Sequence, residues 1–213
     1  MKIKTLLLLM CFMANVNAAT VSQTFTPNVS IPDFDETGYA DSRSLSNTMI
    51  DEITSVTVNL SFVDGWNGDL YVYLTHGTGF SVLLNRPGRS LAQPDGSGTV
   101  GMSITLDDNA STDVHTGLPM SGTNPTGTFQ PDARNVDPGI VVTGDARTAY
   151  LASFQGISAN GQWTLFVADL ASGGTSTLQS WTLNITGNQA VPEPSVMSLG
   201  AILSLIFITR RKR

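Results

Sequence analysis

Cysteine, histidine and lysine are all scarce in this chain, which has one cysteine, two histidines and no lysine between Lys4 and Lys212. Each scarcity removes a class of explanation. Cys11 lies in an apolar stretch near the start, so disulfides cannot staple the rest of the chain, and its core must do that work. Without further cysteines or paired histidines a zinc site has no ligand set. His76 and His115 are the only imidazoles, neither stands beside a Gly-x-Ser-x-Gly elbow, and the chain contains no such elbow. A Ser-His-Asp triad therefore has little to be built from, and no catalytic residue is assigned.

Residues 19–192 carry five basic residues, Arg43, Arg86, Arg89, Arg134 and Arg147, against sixteen acids, a formal charge of −11 compared with −6 for the whole chain. A field of that sign repels nucleic acid and anionic polymers and draws divalent cations. It also keeps an exported protein dispersed.

The two ends read as addresses. Lys2 and Lys4 precede the apolar run Leu6 to Met13, and Val16-Asn17-Ala18 supplies small residues for cleavage after Ala18. This is the pattern of a secretory signal peptide over residues 1–18, and its apolar run is too short for a bilayer span. At the other end, residues 188–194 form a linker that carries Pro192-Glu193-Pro194. An uncharged, mostly apolar stretch follows over 195–209, and the chain stops on Arg210-Arg211-Lys212-Arg213. The prolines keep the strip extended and poor in donors. The apolar stretch suits a short transmembrane helix, held by its basic terminus on the cytoplasmic side. This tail resembles the PEP-CTERM sorting signal. The resemblance implies an exosortase-type sorting enzyme as partner, a Gram-negative envelope and an exopolysaccharide or biofilm setting. An ordinary uncut anchor is the other reading of the same residues.

Residues 19–187 read as one β domain. Val56, Val58, Leu60 and Phe62 alternate with polar residues, as do Leu70, Val72 and Leu74. Between them Asp64-Gly65-Trp66-Asn67-Gly68 reads as the turn of a hairpin. Phe80–Leu84 and Val100–Leu106 are further short strands, residues 20–48 are loop and edge strand, and residues 109–150 are long loops with short strands. A second hairpin is expected where Trp163, Leu165 and Val167 share one face, Trp181, Leu183 and Ile185 share another, and a Gly-rich turn lies between. No amphipathic helical run interrupts this, so the fold class is all-β, a β-sandwich.

Gly161 before Trp163-x-Leu165-x-Val167-x-Asp169, then Leu178-x-Ser180-Trp181-x-Leu183, resembles the P domain that follows the catalytic domain of subtilisin-like proprotein convertases. Ile31-Pro32-Asp33, Gly68-Asp69-Leu70, Gly77-Thr78-Gly79, Asp107-Asp108-Asn109-Ala110, Gly127 to Pro131 and Leu151 to Gly156 continue the resemblance in the family's order, from about Ile31 to Ile185. It implies a galactose-binding-like jelly roll. It also implies a non-catalytic role, because the family's chemistry resides in a subtilisin domain that is not expected ahead of this one. Two functions fit: a structural or adhesive component of the envelope or extracellular matrix, and an accessory that stabilises a separate serine protease.

The resemblance also implies calcium at Asp33, Asp69, Asp107, Asp108 and Asp169, all at strand edges, where hard oxygen ligands gather. Aspartates equally suit turns through bonds to nearby backbone. Trp66 is the candidate ligand contact, for carbohydrate stacking if exposed or for closing the sandwich end if folded back. Tyr71 and Tyr73 are expected on an outer sheet face.

Overall fold

The structure, a computed structural model, describes residues 17–189. Cys11, the expected signal peptide up to residue 16, Pro192-Glu193-Pro194, the apolar stretch 195–209 and the basic terminus 210–213 lie outside the described residues. Among those described, no helix is long and apolar enough to cross a membrane.

Two sheets face each other. The larger runs β1 (Asn17–Phe25), β11 (Thr177–Gln189), β4 (Glu52–Trp66), β7 (Gly98–Leu106) and β8 (Ser121–Thr123), with β2 (Val29–Ser30) on β11 and β9 (Thr126–Phe129) on β7. The smaller runs β3 (Asp35–Leu45), β10 (Gly161–Asp169), β5 (Leu70–His76) and β6 (Gly79–Asn85). Pairing is antiparallel except where β8 and β9 join β7. The only α-helix among the described residues is α1, one turn over Val114–Gly117. The all-β sandwich expected from the alternation is the observed architecture.

Alternation places the core. Val58, Leu60 and Phe62 on β4 and Leu178, Trp181, Leu183 and Ile185 on β11 point inward from the larger sheet. Leu70, Val72 and Leu74 on β5 and Trp163, Leu165 and Val167 on β10 meet them from the smaller. Trp163, Trp181, Phe62 and Phe154 are the bulkiest fully buried side chains. Burying such a side chain contributes roughly 1.5–3 kcal/mol. Without disulfides, that packing is the main source of stability.

Both expected hairpins are corrected. β4 pairs with β11 and β7, whereas β5 pairs with β10 and β6, so residues 64–69 carry the chain from one sheet to the other. The Gly-rich segment between β10 and β11 does the same. Inward alternation is identical for two strands of one hairpin and for two strands facing each other across a core, so period 2 does not separate the cases. Residues 20–48 also hold more strand than the sequence suggests, because β1 and β3 are full-length edge strands.

The register of β1 on β11 runs from Asn17↔Gln189 to Phe25↔Trp181, so the described chain enters and leaves at the same sheet edge. Cleavage after Ala18 would leave Ala19–Phe25 paired. β11 begins at the opposite end, about 40 Å away at roughly 3.3 Å per residue. The crossovers 64–69 and 170–176 and the Asp33 loop cluster at that far end.

Candidate functional site

Three groups of polar residues are withdrawn from water, and they differ in what they are able to do. The first surrounds His115. Asp113 caps α1 by accepting from the His115 amide, which sets the imidazole beneath the 130–150 loops. His115 Nδ1 meets Asp132 Oδ2 at 2.8 Å and Nε2 meets the Arg89 carbonyl at 2.9 Å, both side chains being fully buried. A carbonyl oxygen only accepts, so Nε2 carries a proton, and the carboxylate favours a second on Nδ1. Burial alone would push this imidazole down. The hydrogen bond and charge of Asp132, with the Arg89 carbonyl, more than offset that and leave it above its ordinary value. A histidine donating from both nitrogens has no lone pair for a nucleophile's proton, so His115 is a brace.

Arginines complete this group. Arg134 reaches Asp132 at 3.1 Å, Asp113 at 2.9 Å and the Thr143 carbonyl at 2.8 Å. Arg147 donates to the carbonyls of Asp132 and Pro131 and to Gln130, and lies over the Tyr150 ring. Arg89 ties Pro94 to Val141. Loops without periodicity are thus held by guanidinium forks on carbonyls. This network is not legible in the sequence pattern. Its one local signal is the charged pair in Pro131-Asp132-Ala133-Arg134.

The second group holds His76. Its ring stacks on Trp163 at 4.0 Å, and its nitrogens face the carbonyls of Gln162 and Ser158 at 2.9 and 2.7 Å. Both of its polar atoms are engaged by the backbone, and it joins the start of β10 to the end of β5.

The third group is the candidate site, at the far end. Asp169 closes β10 and points between the sheets, fully buried. Asp69 lies just before β5, and its carbonyl accepts from Leu170 at 2.9 Å. Both Asp169 oxygens, Asp69 Oδ2 and the Ser176 hydroxyl are buried with no hydrogen-bond partner among the described residues. The amides of Ala171 and Ser176 face Asp169 closely enough to favour its charged form, without completing a bond. Both carboxyls are held up at about 6, with burial the largest cause; within that rise the Asp169 charge adds at Asp69, Asp33 adds at both, and Arg86 opposes it in each. Arg86 donates from Nε to the Gly68 carbonyl at 3.0 Å and holds Nη2 3.6 Å from Asp69 Oδ1. It too was missed, since Arg86-Pro87-Gly88 reads only as a turn.

The structure divides the five sequence-proposed metal aspartates. Asp33, Asp69 and Asp169 lie within electrostatic reach at the far end. Asp107 and Asp108 are elsewhere, in turn and loop roles: Asp107 accepts from the Asn109 amide, and Asp108 from the amides of Leu151 and Ala152. Asp33 itself is exposed and accepts from the Gly173 amide at 3.3 Å. Trp66 stands beside them, 42% exposed. Gly173, at φ +131°, takes the ring against its backbone, where a Cβ would come within 2.7 Å. The tryptophan is thus half folded back, with part of its surface open.

The donor set fits a hard divalent cation. Three orphaned carboxylate oxygens and a hydroxyl are oxygen ligands of the kind calcium takes, with no sulfur or imidazole among them. Among the described residues no three Asp, Glu, His or Cys side chains converge tightly enough to hold a metal by themselves. Backbone carbonyls and water would complete the sphere.

No family model matches the chain, and no curated protein matches it. Among solved structures, the chain is similar to part of the serine protease of Aeromonas sobria. The protease alone aligns at 18% identity with a TM-score of 0.46, over 83% of this chain and 28% of the protease chain. The complex of that protease with its chaperone aligns at 17% identity with a TM-score of 0.45, over 82% of this chain and 28% of the other. The chain thus spans less than a third of the length of these matches.

Proposed function

We propose that this chain is an exported, non-catalytic β-sandwich module that acts as a stabilising accessory of a serine protease, with calcium closing the loops at its far end. The observation that carries the reading is the placement of the P-domain-like blocks. Ile31-Pro32-Asp33, Gly68-Asp69-Leu70 and the β10–β11 segment, far apart in sequence, converge on one end of one sandwich. The use of both imidazoles as braces supports a role without chemistry of its own. Calcium is supported by the orphaned oxygens of Asp69 and Asp169. The test is affinity capture of a subtilisin-like catalytic chain from the same genome on immobilised full-length protein. Retention of that chain supports the accessory role, and its passage through the column contradicts it.

A second reading is favoured by the pairing of Asn17 with Gln189. A tail sorted by an exosortase-type enzyme would hold the sandwich by that edge and leave the far end outermost, as suits a structural or adhesive component of the envelope or matrix. Mass spectrometry of both termini of the protein from its native host tests it. A mature N-terminus at Ala19 with loss of the tail after the Pro-Glu-Pro strip supports it, and a full-length cytosolic chain contradicts it.

A further inference from the structure

The outward face of the smaller sheet carries a cleft of about 400 Å³ that neither of these readings uses. Its floor comes from the two central strands: Tyr71 and Tyr73 on β5, and Phe166 with Ala168 on β10. The rings form one contiguous block. Tyr73 and Phe166, cross-strand partners, stack at 4.7 Å and 16°, and Tyr71 and Phe80 lean on Tyr73 at 5.8 and 5.4 Å. Gly38 on β3, at φ +51°, leaves room for this block, since a Cβ there would stand 2.8 Å from the Phe166 ring.

The walls are polar and come from the two edges. Glu36 rises from β3, and the turn Asp137-Pro138-Gly139 rises on the other side. That turn is fixed by the Gly139 amide donating to Asp137 Oδ1 at 2.7 Å. Arg86 closes the end nearest Asp69. Neither tyrosyl hydroxyl nor the Glu36 carboxylate has a hydrogen-bond partner among the described residues. Burial raises the Tyr71 hydroxyl above its ordinary value, so it stays a neutral donor and acceptor.

Small-molecule sites are concave, of roughly 300–1,000 Å³, with apolar and aromatic lining and a few placed polar groups, and this cleft meets that description. The polar set decides the ligand class. Two carboxylates in a domain of charge −11 turn away anions. The Arg86 guanidinium at the end sets a positive donor against the bound molecule, so a ligand that both donates and accepts suits these walls better than a simple cation. What remains is a neutral ligand with apolar C–H faces for the rings and with hydroxyls that both donate to Glu36 and Asp137 and accept from Arg86 and the tyrosines. The geometry points to a neutral saccharide as the ligand of the Tyr71–Tyr73–Phe166 cleft. This site does not rest on the accessory role, shares only Arg86 with the far-end carboxylates, and does not include Trp66.

Titration calorimetry of the purified full-length protein against neutral gluco-, manno- and galacto-oligosaccharides tests it, with oligouronates and a lysine-rich peptide run in parallel. The expected result is saturable binding of a neutral series. Tyr73→Ala and Glu36→Gln each weaken it about tenfold or more, as loss of a central contact does. Trp66→Ala leaves affinity unchanged, and Glu36→Gln, a surface change, leaves the melting temperature unchanged. No binding of any neutral series at millimolar concentration would overturn the inference. So would preference for the oligouronate or the peptide, or binding lost in Trp66→Ala and kept in Glu36→Gln.

Discussion

Trp181 Nε1, from the larger sheet, donates at 2.7 Å to Asp41 Oδ2, on β3 of the smaller sheet, both residues being buried. Arg43 holds the other oxygen of Asp41 at 2.8 Å. One carboxylate thus bonds the sheets together beside the end of β1, where Phe25 packs on the same indole at 4.6 Å.

Trp181→Phe keeps most of the apolar contact and removes the donor from a carboxylate that Arg43 still pairs. Hydrogen bonds to charged groups contribute about 1.5–3 kcal/mol, so chemical denaturation is expected to show a loss of that order with an unchanged m-value. A stability equal to the parent would mean that the bond across the sheets contributes nothing.

Asp69 and Asp169 make stability pH-dependent when calcium is chelated. Their folded values near 6 exceed the ordinary 3.8, so the folded chain keeps protons that the unfolded chain releases. Their contribution is most favourable below about pH 4 and is lost as pH rises through about 6. The proposed calcium needs the ionised form, so any stabilisation by it should grow over the same range. Melting at pH 7.5 with a chelator is expected to show Asp169→Asn more stable than the parent, and calcium to raise the parent's melting temperature but not the variant's. A calcium shift that survives Asp169→Asn, or none in the parent, would remove the metal site.

His115 depends on pH with the opposite sense of charge. Its folded value is raised, so its contribution is complete below about pH 6.5 and is lost as pH rises through the folded value. His115→Gln leaves Asp132 with Arg134 and the Asn85 amide. The expected cost is roughly 3–5 kcal/mol at pH 5.5, as for breaking a buried ion pair, and less at pH 9. Equal losses at both pH values would show that the imidazole acts only by shape.

Strands were legible in the sequence because each buries one face, as Val58-Leu60-Phe62 and Trp163-Leu165-Val167 do. Their partners were not, since alternation carries no record of whether a turn such as 64–69 returns to its own sheet or crosses to the other. The site was legible in half. Asp33, Asp69 and Asp169 flank segments that cross or close the sandwich, and the fold gathers them. Asp107 and Asp108 look the same locally but spend their oxygens on nearby amides. Arg86 and Arg147 left no trace, and Arg134 only its neighbouring Asp132, because contacts from guanidinium to carbonyl have no period. The cleft floor followed from the outward parity of Tyr71 and Tyr73, and its wall at Asp137 depended on a loop whose path no pattern predicted.

The role proposed for this chain is that of an accessory that lends stability and no chemistry. Its most direct measurement is the half-life, at elevated temperature and in calcium, of a subtilisin-like catalytic chain from the same genome with and without this protein. A half-life lengthened by the parent and less so by Asp169→Asn, with no peptidase activity from this chain alone, is the predicted result. An unchanged half-life, or peptide cleavage by this chain that disappears in His76→Ala or His115→Ala, would contradict it.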